Sequence, residues 1–103
     1  MSSSIRFITQ EPFTPYQTHK QSAAINALTK LTPPATGTGG QYACLMQCTG
    51  QNVRFTLDDA TTPSATVGFV LRVGDPPLLV RTDRPIWVIE ESQTATLIWQ
   101  WGF

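Results

Sequence analysis

Residues 52–73, NVRFTLDDATTPSATVGFVLRV, hold the pattern that decides the fold. Val53, Phe55 and Leu57 alternate with Arg54 and Thr56, the period of a strand with one face buried. A loop rich in Asp, Thr, Pro and Ser follows over 58–65. A second alternation then places Val67, Phe69, Leu71 and Val73 on one expected face, with Arg72 outward. Two such runs around a turn-forming loop read as antiparallel strands.

The pattern extends toward the C-terminus. Gly74–Pro77, GDPP, is a turn, because proline cannot donate to a ladder. Residues 78–81 form the next strand, 82–85 a turn, 86–90 a strand and 91–93 a short turn, and 94–103 closes the chain. Toward the N-terminus, residues 42–48 make a strand entered from the Gly39–Gly40 break. Residues 5–9 read as a further strand. The stretch 21–30, QSAAINALTK, fits a short helix with Ile25 and Leu28 on one side. It also fits a strand in which Ile25, Ala27, Thr29 and Leu31 alternate, and the strand-like sequence downstream favours that reading. About eight strands, with turns every eight to twelve residues or so, predict an all-β chain. The expected fold is a small antiparallel β-sandwich, jelly-roll-like, with an extended N-terminal arm.

The organisation expected is one domain in two parts. Residues 1–40 would be a strand, an extended arm and a Pro/Gly connector, and residues 41–103 the sandwich body. The arm, QEPFTPYQTHKQ over 10–21, sets Phe13 and Tyr16 among polar residues. Either it lies across a neighbouring subunit or it folds back on its own domain. TPPATGTGG over 32–40 has little to bury.

Composition narrows the function. The chain has 103 residues, enough for one core. Charged residues make up 14%, against roughly 25% in average soluble proteins, and seven basic residues balance seven acidic ones. So few charges protect a free monomer poorly against association, which fits a chain that covers its surface with partners. The basic residues are scattered singly, so no phosphate-binding face forms and no direct nucleic-acid contact is expected. The opening MSSSIRFITQ lacks a basic region followed by an apolar stretch, and no run reaches the length of a membrane span. Synthesis in the cytoplasm and no membrane contact are the expectations.

No catalytic, cofactor or metal set emerges. Cys44 and Cys48 lie in one expected strand, where four residues span about 13 Å, whereas bridged Cα atoms sit about 4.4 to 6.8 Å apart. Buried thiols packing as small hydrophobes are expected, and their spacing matches no zinc motif. His19 is the single histidine and stands in the polar arm, without an orienting acid or nucleophile. Adjacent strand residues point to opposite faces, so Asp58–Asp59 and Glu90–Glu91 do not converge on one substrate. Gly37, Gly39 and Gly40 lack the lysine and helix of a phosphate loop. The chain is not expected to be an enzyme.

Aromatic residues are the remaining signal. Leu97, Trp99, Trp101 and Phe103 fall on one face of the closing strand, with about 6.6 Å between the indoles. Such a row serves as core, as the centre of a subunit interface, or as a stacking platform for a glycan. The closing stretch ATLIWQWGF carries neither charge nor proline. At a sheet edge it would need cover from a neighbouring subunit. Phe13, Tyr16, Trp87, Trp99, Trp101 and Phe103 are the candidate interface residues.

The block GQNVRFTLDDATTPSATVGFVLRVGDPP, residues 50–77, resembles a recurring block of small bacteriophage virion proteins. The matching residues are Asn52, Val53, Arg54, Asp58, Asp59, Pro63, Ala65, Thr66, Val67, Gly68, Leu71 and Gly74. Those proteins often carry Gly where Ala60 stands, so the turn geometry is open here. The small-residue stretch before the block and the strand at 86–89 also look similar, so the likeness spans roughly residues 25 to 103. The resemblance implies a structural protein of the head decoration (cement) type, stabilising the capsid by bridging major capsid subunits. Its implied partners are the major capsid protein and copies of itself, as a dimer or trimer. Its implied location is the capsid surface of the virion, assembled in the host cytoplasm. A tail, neck or fibre adaptor is one alternative, and a carbohydrate-binding β-sandwich module is another.

Overall fold

A computed structural model describes residues 13–34 and 42–103. The strands are β1 (Lys20–Ser22), β2 (Thr29–Leu31), β3 (Ala43–Thr49), β4 (Val53–Thr56), β5 (Phe69–Leu71), β6 (Leu78–Arg81), β7 (Ile86–Glu90) and β8 (Thr96–Gly102). They form two four-stranded sheets, β1-β8-β3-β6 and β2-β7-β4-β5. Every strand pairing is antiparallel.

The order follows a simple rule: β1 pairs with β8, β2 with β7, β3 with β6 and β4 with β5. This is one long ribbon folded back at the β4–β5 connection, its successive pairs placed alternately in the two sheets. Rolling the ribbon adds the β3–β8 and β4–β7 ladders. The result is the jelly-roll form of the β-sandwich.

Alternation along each strand builds the core. Cys44, Met46 and Cys48 of β3 face inward with Leu97 and Trp101 of β8. Val53 and Phe55 of β4, Ile86 and Val88 of β7, and Leu31 of β2 close the space from the other sheet. Each aliphatic side chain removed from water contributes about 1.5–3 kcal/mol, which offsets the ordering of these short strands.

Several expectations are revised. The body does not start at residue 41, because β1 and β2 supply a strand to each sheet. The expected strand at 5–9 lies outside the described residues, and among the described residues β1 is a strand that the sequence pattern does not predict. Residues 21–30 are neither a helix nor one strand. Between Ser22 and Thr29 the chain crosses from one sheet to the other, which a single ladder cannot do. Ile25 plugs the core at the crossing, and its carbonyl accepts the Glu90 N–H at 3.0 Å.

The face Val67–Phe69–Leu71–Val73 also fails as a unit. Only Leu71 is buried, while Val67, Phe69 and Val73 are exposed. Gly68 and Gly74 take positive φ and cut the run to three residues, and β5 lies at a sheet edge with cover on one side. The closing strand β8 is not an edge; it lies between β1 and β3. Its lack of charge therefore follows from burial in the chain's own sandwich and calls for no neighbouring subunit.

Candidate functional site

From Phe13 the expected arm folds onto its own domain. Thr14 and Phe103 exchange backbone hydrogen bonds at 2.9 Å, and the N–H groups of Tyr16 and Gln17 both donate to the Trp101 carbonyl at 3.1 Å. This strap depends on Gly102, where a Cβ would collide with the Thr14 carbonyl and the Phe13 ring. It carries Tyr16 to Phe103, edge to face with 5.1 Å between centroids, and Tyr42 packs on Phe103 at 5.4 Å. Two of the candidate interface residues, Tyr16 and Phe103, thus meet at one corner of the sandwich, while the Phe13 ring lies against Gly102. Tyr16 is 61% exposed and Phe103 44%. Tyr42 completes the corner, although as the first residue of an expected strand it carried no signal of this role.

The three tryptophans separate. Trp101 is fully buried in the chain's own core, and Trp99 packs against that core from a half-buried position. Trp101 therefore offers neither interface surface nor a glycan platform. Its indole N–H is buried without a hydrogen-bond partner. Trp87 points the other way, onto the outer face of its sheet. Its Nε1 donates to Asp59 Oδ1 at 2.7 Å, and Lys30 Nζ stands 5.4 Å from the ring centroid.

The β4–β5 hairpin gives several residues of the quoted block a structural task. Arg54 donates through Nε to Glu91 at 2.7 Å and through Nη1 to the Gly68 carbonyl at 3.1 Å. Asn52 accepts the Val73 N–H at 2.9 Å and donates to Glu91 at 3.3 Å. Together they clip β5 and the end of β7 onto β4. Asp58 accepts from the Thr61 hydroxyl and from the N–H groups of Ala60 and Thr61, and these bonds hold its carboxyl down to about 2. At the turn, Asp59 takes the left-handed conformation, with φ 54°, so Ala60 need not. Val53 and Leu71 are core, and Pro63 is fully buried. An apolar cleft of about 330 Å³ opens beside this hairpin, between Leu57, Val67 and Phe69.

Cys44 and Cys48 are unbridged and buried. Burial pushes the Cys44 thiol up to about 12, and Cys48 is raised by the same cause. The Cys48 thiol donates to the Leu71 carbonyl at 3.2 Å. Glu91 is lowered by its hydrogen bond from Arg54, and Glu90 accepts the Ala95 N–H at 3.2 Å. His19 is exposed beside a shallow cavity of about 180 Å³ on the outer face of β3 and β8. Among the described residues no three His, Cys, Asp or Glu side chains gather in a group able to hold a metal ion.

Compared with known proteins, the chain matches no protein family, no curated sequence and no solved structure.

Proposed function

We propose that this chain is a non-enzymatic structural protein of a phage virion, a capsid decoration protein that stabilises the head by bridging major capsid subunits. The observation that carries the reading is uncovered aromatic surface on a charge-poor chain. Tyr16 and Phe103 at the β8 corner, and Phe69 on β5, are 61%, 44% and 64% exposed, while charged residues make up 14% of the chain. Aromatic side chains clustered at a surface are the usual anchors of a protein interface. The two aromatic surfaces belong to different sheets, and we assign one to a capsid subunit and the other to a second copy of the chain. The resemblance of residues 50–77 to virion proteins supports the same reading, and the jelly roll is a form used by capsid domains, an analogy of fold alone.

The test is particle stability. Particles lacking the chain are expected to release DNA at a lower temperature than complete ones, and adding the purified chain restores the difference. Unchanged release, with the chain found in the tail fraction, would overturn the decoration role in favour of a tail, neck or fibre adaptor.

A further inference from the structure

We infer that the cavity between Trp87 and the β4–β5 loop is a binding site for one neutral pyranose sugar. The cavity measures about 140 Å³ and is lined by Leu28, Asp59, Ala60, Thr61, Thr62 and Trp87. Pockets for drug-sized ligands run to roughly 300–1,000 Å³, so this one admits a single small ring.

Its wall is held in place by specific contacts. The indole of Trp87 is fixed by its 2.7 Å hydrogen bond to Asp59 Oδ1. Asp59 is presented there from a left-handed turn, a conformation uncommon for any residue but glycine and better tolerated by Asp than by most. Backbone held in such a conformation is a feature of ligand sites. The turn itself is locked by Asp58, which accepts from Thr61 Oγ1 at 2.6 Å and from the Thr61 N–H at 2.8 Å.

The chemistry of the wall selects the ligand. An indole offers an apolar face to a ring that has one. The carboxylate of Asp59 has acceptor capacity beyond the bond from Trp87, and the Thr61 hydroxyl, its proton given to Asp58, can accept as well. These groups want hydroxyl donors on the rim of the ligand. The negative charge of Asp59 opposes phosphates and carboxylates. A cationic ligand meets a ring already served by the ammonium of Lys30, which does not line the cavity. A neutral ring with one apolar face and hydroxyls at its edge satisfies all these conditions, and a pyranose is such a ring. The site uses a tryptophan outside the closing strand, and the inference holds whether or not the chain is carried on a particle.

The experiment uses the purified chain and four probes: glucose, galactose, mannose and N-acetylglucosamine. Each is titrated while the Trp87 indole N–H resonance is followed by NMR. At least one probe is expected to shift that resonance saturably. Asp59→Ala is expected to weaken its binding about tenfold or more, near 1.4 kcal/mol, with Asp59→Asn recovering part of the loss. Trp87→Phe, followed on the Thr61 and Thr62 amides, is expected to abolish binding. If Trp87→Phe fails to fold, Thr62→Val, at an exposed position, still reads the site by weaker binding. No shift with any of the four probes, or binding unchanged in Asp59→Ala and Thr62→Val, would overturn the inference.

Discussion

Trp101 is buried in the core between the two sheets, and its indole N–H has no hydrogen-bond partner there. The two-residue spacing of Trp99 and Trp101 put both indoles on one face, and they do share the inward face of β8. Core and interface both bury such a face, so spacing alone does not choose between them; the neighbours of β8 do. Truncating Trp101 to Ala is expected to cost about 3–5 kcal/mol in urea denaturation. Trp101→Phe should cost clearly less, because the phenyl ring keeps much of the buried aromatic surface and leaves a smaller cavity. The thiols give a second test. Folding raises the Cys44 pKa from 9.0 to about 12, so the unfolded chain loses that proton first. The stabilisation is therefore complete below about pH 9 and declines as the pH rises toward 12. Denaturation midpoints across that range should fall, and a Cys44→Ala variant should fall less. Cysteine alkylation of the folded chain should be slow at neutral pH.

At the scale of elements, legibility followed how far a strand writes its own alternation. β6 and β7 were readable to the residue, and β3 and β4 to within a residue or so at each end. β1 was not, because Lys-Gln-Ser has no apolar period; its pairing with β8 makes it a strand. β5 is shorter than its alternation suggests, since Gly68 looks harmless between Val67 and Phe69 until its positive φ is known. The strap at 13–17 was open in sequence, and Gly102 decides it. Gly102→Ala is expected to detach the strap while the core stays intact, seen as faster amide exchange at Tyr16 and Phe103 with normal exchange in β3. The 58–61 turn has its own acid limit. The Asp58 pKa is lowered from 3.8 to about 2, so what the carboxylate contributes is present above pH 3.8 and lost as the pH falls through 2. Amide exchange at Ala60 and Thr61 should accelerate across that window.

On the scale of the whole molecule, turn spacing was enough to reach an eight-stranded sandwich, because each strand must return within the thickness of the fold. The candidate sites were less legible. Tyr16 and Phe103 stand far apart in sequence and meet only because the strap runs along β8, while Tyr42 and Asp59 join their aromatic partners through tertiary packing. The uncharged closing strand, which would need cover at a sheet edge, lies between β1 and β3; uncovered apolar surface lies instead at the β8 corner and on β5. The proposed function therefore rests on those two surfaces, and a chain that stays monomeric in light scattering at micromolar concentration would contradict the self-association it includes. The decisive measurement is the temperature at which particles lacking the chain release DNA after purified chain is added back. Wild-type chain should raise it to that of complete particles, while folded Tyr16→Ser/Phe103→Ser and Phe69→Ser variants should raise it less. No rise with wild-type chain, or an equal rise with all three, would contradict the proposed role of these surfaces in holding the head together.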